Sequence, residues 1–340
     1  LSQNHMSELD TALIIAWPEC TARADESLAK MFNKAGIIKN LNIRVGHAAV
    51  CLINPQTTEV LYYDFGRYVS PRGSGRARSK FSDPKLILEV KAVFDDQKNI
   101  LNVEDISREL DSISTYTHGT GPLLLSVSKS INFAKAKEYA DDMVMKGYFP
   151  YNGLDKSASN CARYVLETIK IANEDGTIGS KLKYPLTVRP TPLFNVVTAK
   201  TEDLIYSFEQ NVLKTLDKSR RHSLKDLGGG LLESTLSRYT KNRPDDSVHG
   251  QMEEPNRPSL LPTQAQWLGG IGEGAWFHIT EVGPHSFKGV KYNSVGGTEH
   301  EAVYSNDQIP VPDNFKITYA SHFGFFSLEI EGMVHRFYRA

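Results

Sequence analysis

The sequence predicts a mixed α and β protein that ends in a small antiparallel β domain. Three observations carry this. Short apolar runs such as residues 11–17 (TALIIAW) and 44–53 (RVGHAAVCLI) have strand length. Residues 132–146 and 160–172 place apolar side chains at helical spacing. From residue 265 to 340, aromatic and β-branched residues alternate with turns such as Val282-Gly283-Pro284 and Gly296-Gly297.

The elements follow in order. Residues 11–17 read as a buried strand stopped by Pro18. Residues 25–35 read as a helix, with Leu28, Met31, Phe32 and Ala35 at helical spacing and Gly36 as its stop. Residues 44–53 and 59–65 are strands joined through Asn54-Pro55-Gln56-Thr57-Thr58 into a hairpin. Residues 70–82, rich in Gly, Ser and Arg, read as an exposed loop. Residues 85–94 read as a strand, 100–113 as a helix and 123–127 as a strand. Residues 185–192, with three prolines, read as a linker or wrapping segment. Residues 201–216 read as a helix, and 217–262 as a connector in which 231–239 is a further helix. The expected domains are 7–200, a connector at 201–262 and a β domain at 263–340. Residues 1–6 are set aside, because Met6 reads as a candidate initiator.

Composition narrows the function. The chain has 340 residues, 39 Lys plus Arg against 40 Asp plus Glu, and 40% hydrophobic residues. The apolar fraction suits a real core and argues against global disorder. The formal net charge of −1 lacks the basic excess of a nucleic-acid binder. No apolar run approaches the roughly 20 residues of a membrane span, and no signal peptide is recognisable. Three scattered cysteines do not make a disulfide scaffold, so the sequence reads as cytoplasmic. A signal sequence removed before this start is the alternative to that reading.

The cysteines also carry the candidate chemistry. Ser157 and Ser159 precede Cys161 and supply a helix cap, which places Cys161 in the first turn. A thiolate there is favoured by the free N–H groups of the helix end. A lone cysteine is more often a small packed hydrophobe, so position alone decides nothing. His47 follows Gly46 at the front of a strand, where it can serve a thiol on a facing helix as general base or simply sit hydrogen-bonded in the core. The hairpin brings the neighbourhood of Asp64 opposite His47, within about 4.8 Å between strands, so its carboxylate can orient the imidazole. Asp64 also reads as a strand-end turn residue. Cys51 lies four residues from His47, about 13 Å along the strand, and reads as core. Cys20 is the competing nucleophile, although its helix begins several residues later.

The segment around residues 11–15, Gly46-His47-Ala48-Ala49-Val50, the stretch Leu61-Tyr62-Tyr63-Asp64-Phe65-Gly66 and Asn160-Cys161-Ala162-Arg163-Tyr164-Val165 resemble circularly permuted papain-like families. These are the relatives of the NlpC/P60 peptidases and lecithin–retinol acyltransferases. The resemblance covers about residues 10 to 175. It implies an α+β, permuted papain-like domain with an antiparallel sheet packed on helices, a Cys161 nucleophile, a His47 base and an Asp64 orienter. It selects Cys161 over Cys20 by order. It also implies an oxyanion site from the Cys161 N–H with Asn160 or Tyr151 as second donor, although Asn160 reads equally as a helix cap. A long Arg-rich insert and the C-terminal β domain depart from the simplest members.

The expected activity is therefore thiol-dependent hydrolysis of a peptide amide. The alternatives are lipid amide or ester chemistry, acyl transfer, or a non-catalytic binding protein with the same fold. The expected partner is a peptide- or acyl-containing substrate, with no nucleic acid, cofactor or metal. Arg67, Arg72, Arg76 and Arg78 form a candidate anion-binding loop, weighed against a solvated one. Gly73-Ser74-Gly75 lacks the Lys-Ser/Thr ending of a phosphate loop, and Gly270-Ile271-Gly272-Glu273-Gly274 precedes strand rather than helix. His118 reads as an exposed loop residue. The five histidines of the last domain match no zinc spacing. Trp267, Trp276 and Phe323, Phe325 and Phe326 read as core.

Overall fold

The computed structural model describes residues 10–23, 42–152, 155, 157–183, 190–217, 251–311 and 313–340. The helices expected at 25–35 and 231–239 lie outside these residues. The described strands are β1 (Asp10–Trp17), β2 (Thr21–Arg23), β3 (Asn42–Arg44), β4 (His47–Ile53), β5 (Val60–Gly66), β6 (Ser74–Ser79), β7 (Leu123–Ile131), β8 (Phe149–Pro150), β9 (Ile205–Glu209) and β10 (Val212–Leu216). The C-terminal strands are β11 (Gln266–Leu268), β12 (Ala275–Gly283), β13 (Ser286–Tyr292), β14 (Thr298–Ser305), β15 (Lys316–Ile317), β16 (Phe325–Ile330) and β17 (Met333–Arg339). The helices are α1 (Val103–Ser112), α2 (Ser114–Thr117), α3 (Phe133–Met145), α4 (Cys161–Ala172), α5 (Gly176–Lys183) and α6 (Pro192–Ala199).

The chain divides into two compact units. The first draws on residues up to Asp64, on Lys85–Asp142 and on Asn160–Pro244; the second on Phe65–Pro84, Met143–Ser159 and Asp245–Ala340.

In the first unit the strands follow the order β10-β9-β7-β1-β4-β5, all antiparallel. The register sets Trp17 against His47 across β1 and β4, and Ala49 against Asp64 across β4 and β5. Alternation then assigns the faces. Leu13, Ile15, Trp17, Ala49, Cys51 and Tyr62 join a buried cluster with Val103, Ile106 and Leu110 of α1. The opposite face meets other helices: Tyr63 donates to Asp141 of α3 at 2.8 Å, and Ser126 to the Val196 carbonyl of α6 at 2.7 Å. Asn195 of α6 donates to the Ala162 carbonyl of α4 at 2.8 Å, tying those two helices together.

The second unit contains an antiparallel sheet in the order β11-β12-β13-β14-β17-β16-β15. Its core includes Phe277, Phe287, Tyr304, Phe326, Leu328 and Phe337. Trp276 and Phe325 are also fully buried. A short pair, β6 with β8, belongs to the same unit through Gly75 opposite Phe149.

Several expected elements differ. Residues 201–216 form the β9–β10 hairpin, not a helix; Gln210 and Asn211 turn with φ of 51° and 62°, which favours a two-residue hairpin connection. Their apolar residues fit a helical spacing as well as an alternating one, which hides the hairpin. Residues 85–94 form a short 3₁₀ turn at Pro84–Leu86 and then an irregular extended stretch with an isolated bridge from Glu59 to Lys91. The proline-rich end of 185–192 leads into α6, where Thr191 caps the Phe194 N–H at 3.0 Å and Pro192 takes the first helical position. The exposed Arg-rich loop of 70–82 contains strand β6 instead, with Arg76 5% and Arg78 4% exposed.

Candidate functional site

Cys161 opens α4. Its cap is Asn160, whose Oδ1 accepts the Arg163 N–H at 3.0 Å; Ser157 and Ser159 do not fill that position. The Cys161 side chain is buried, with Sγ 4.0 Å from the Gly46 carbonyl oxygen. The residue before the His47 strand is therefore the one that meets the first turn of the helix.

Gly46 suits that approach. Its φ is +73°, and a Cβ there would lie 3.1 Å from Pro192 Cγ and 3.2 Å from the Trp17 carbonyl oxygen. The Val45 and Gly46 N–H groups both donate to the Cys20 carbonyl, at 3.2 and 2.9 Å. Backbone bonds thus hold the entry to β4 in place.

His47 is the first residue of β4. Its ring stacks on Trp17 with centroids 5.7 Å apart and planes 19° apart. Nε2 lies 3.3 Å from Asp64 Oδ2, and the Cys161 side chain is close enough to help raise the His47 pKa. With Nε2 turned to Asp64, Nδ1 is the nitrogen left for the sulfur. Burial pulls the His47 pKa down, but Asp64 and Cys161, by hydrogen bond and by charge, outweigh it and lift the value to about 10. Both partners therefore favour the protonated imidazole.

Asp64 is fully buried. It lies diagonal to His47, because its direct cross-strand partner is Ala49. The same Oδ2 accepts the Tyr62 hydroxyl at 3.1 Å. Two donors on one oxygen support the ionised carboxylate.

The other candidates are placed elsewhere. The Cys20 sulfur accepts the Thr120 N–H at 3.2 Å and approaches the His118 carbonyl at 3.4 Å, so it is held by the 118–120 loop. His118 itself is exposed. Cys51 is fully buried among apolar side chains, and burial pushes its thiol pKa up. Tyr151 belongs to the second unit, where its ring stacks on Phe65 at 5.7 Å under the Arg67 guanidinium at 5.1 Å. Arg72 is exposed, whereas Arg76 and Arg78 are buried in the second unit. Sequence reading passed over Trp17 and Tyr62. Both carry a strand signal: Trp17 closes the strand that pairs with β4, and Tyr62 precedes Asp64 by two residues on one face. Among the described residues, no group of three or more His, Cys, Asp or Glu is placed to hold a metal.

Comparison with known families finds matches in two stretches of the chain. Residues 12–178 match the family model of TseH-like type VI secretion system effectors. The TseH-like stretch contains His47, Asp64, Asn160 and Cys161, and also Arg76 and Arg78. Residues 265–340 match the DUF6695 C-terminal domain. The crystal structure of the type VI secretion system effector TseH is similar over 62% of this chain and 98% of its own, at 18% identity and a TM-score of 0.41. No curated protein matches the chain. Among the described residues, no helix is long and apolar enough to cross a membrane.

Proposed function

We propose that the first unit is a permuted papain-like thiol hydrolase of peptide amides, acting as a secreted effector. The observation that carries this reading is His47 bonded to Asp64 at 3.3 Å, with the Cys161 sulfur 4.0 Å from the carbonyl of Gly46, the residue just before His47. A cationic imidazole beside the sulfur favours the thiolate, the form that attacks carbonyls. In this reading the thiolate adds to the scissile carbonyl, and the Cys161 N–H faces the developing oxyanion at the start of α4. Protonated His47 gives its proton to the departing amine, leaving a thioester. Water then attacks, His47 takes its proton, and the acid and free thiol are released. Asp64 keeps the ring oriented through both steps.

The effector role rests on the family match of residues 12–178, and it moves the expected place of action away from the cytoplasm of the producing cell. A peptide carrying a carbonyl-directed electrophile tests the chemistry. Intact-mass and peptide mapping should find one adduct, on Cys161, and Cys161→Ser should abolish it together with amide cleavage. An adduct on Cys20, or none while the chain stays folded, would overturn the proposal.

A further inference from the structure

A second group of buried ionisable side chains lies wholly within the second unit, around a cavity of about 20 Å³. One ordered water needs about 10–15 Å³, so the space suits a small group and excludes a nucleotide. Arg76 and Arg78 of β6, Lys291 of β13, Asp83 and Glu273, and the imidazoles of His300 and His322 line it. The two arginines lie more than 190 residues before the lysine in sequence.

His322 makes the informative contact. The Gly324 N–H donates to its Nδ1 at 3.0 Å, so Nδ1 carries the lone pair. Burial and nearby Arg76 hold the ring neutral, with its pKa well below the ordinary value. The proton therefore sits on Nε2, which is buried and has no acceptor among the described residues. His322 is 3% exposed, and its neighbour His300 is 7% exposed with both ring nitrogens unpartnered among the described residues. Burying a donor without an acceptor is costly, so a partner in the cavity would recover a real penalty.

The charge of the lining selects that partner. Three cations face two carboxylates. Glu273 is 2.7 Å from Lys291 and 4.0 Å from Arg78; Asp83 is 3.7 Å from Arg78. Glu299, outside the lining, also pairs with Lys291 at 2.7 Å. The Arg76 guanidinium donates to the carbonyls of Val69, Tyr319, Ala320 and Ser321, with Glu273 and Asp83 acting on it by charge. Arg336 and Arg339 add to the positive field at the histidines.

We propose that this cavity is a binding site for a small anion, a carboxylate group or an inorganic oxyanion, held by His322 Nε2–H with Arg78, Lys291 and His300. Arg78 of the Arg-rich segment thus serves anion binding from a buried strand, while Arg76 beside it is held by backbone carbonyls. The inference is independent of the hydrolase chemistry.

The test uses the full chain with ¹⁵N-labelled histidine, titrated separately with sodium acetate and sodium phosphate at constant ionic strength. Saturable shifts of the His322 and His300 ring nitrogens are expected with at least one of them, and which anion acts separates a carboxylate ligand from a phosphate. His322→Phe should weaken the apparent affinity about tenfold or more, read from the His300 signal, as expected for loss of a hydrogen bond to a charged group. Lys291→Gln should weaken it independently, and covers the case in which the phenylalanine variant does not fold. Ring signals unmoved by either anion across the millimolar range would overturn the site and leave a water-filled cavity. Equal affinity in the wild type and both folded variants would do the same.

Discussion

Asp64→Asn is the most informative single change in the first unit. The substitution keeps the shape of a fully buried side chain and removes its charge. In the wild type, Asp64 works against burial to lift His47 to a pKa of about 10. A carboxylate in direct contact typically raises a neighbouring cation by about 1–3 units, or about 1.4–4 kcal/mol. Without it, burial continues to press the value down while one of the two supporting partners is gone. The His47 titration should move down by about 1–3 units. The thiolate–imidazolium pair should become about 10- to 1,000-fold less populated relative to the neutral pair. Ring ¹⁵N shifts of His47 followed against pH read the first quantity. The alkylation rate of Cys161 at neutral pH reads the second. A folded Asp64→Asn protein whose His47 titrates as in the wild type would refute the assignment of Asp64 as the source of the shift.

Other outcomes follow from the same geometry. Tyr62→Phe removes the hydroxyl that donates to Asp64 at 3.1 Å. It should destabilise the chain by about 1.5–3 kcal/mol in urea unfolding, as for a hydrogen bond to a charged group, and lower the His47 pKa less than Asp64→Asn does. Gly46→Ala places a Cβ on a residue with φ of +73°, next to Pro192 and Trp17. A loss of at least about 1–2 kcal/mol is expected, with slower Cys161 labelling as the strand entry shifts. At acid pH the second unit should loosen. His300 is lowered to about 3 and His322 is lowered as well, so the unfolded state takes up their protons first. Their contribution is full above the ordinary histidine value and falls as pH drops through the window from about 6.5 to 3. The slope should approach about 3 kcal/mol per pH unit for two protons, measurable by denaturant titrations at several pH values, and His300→Phe should flatten it.

Much of the first unit is legible in sequence because its signals are local. The Thr11–Trp17 run, the His47–Asp64 hairpin and the amphipathic helix behind Cys161 each announce themselves within a dozen residues. Register then follows from alternation, which puts His47 and Asp64 on one face. What escaped depends on distant partners. Arg76 reads as a loop residue because the four carbonyls that accept its N–H groups come from Val69 and from residues 319–321. The pairing of β9 with β7 was equally hidden, since nothing within residues 201–216 says that Phe208 will sit opposite Leu123. Trp17 looked like a strand-end core residue, and only the pairing with His47 gives its ring a second role.

The central claim is that His47 activates Cys161. Alkylation of each cysteine, measured against pH in the wild type and in His47→Ala and mapped by peptide mass, addresses it directly. Cys161 should be labelled fastest of the three cysteines, and the substitution should slow it. Labelling of Cys161 that is slow and indifferent to His47, or faster labelling of Cys20, would contradict it.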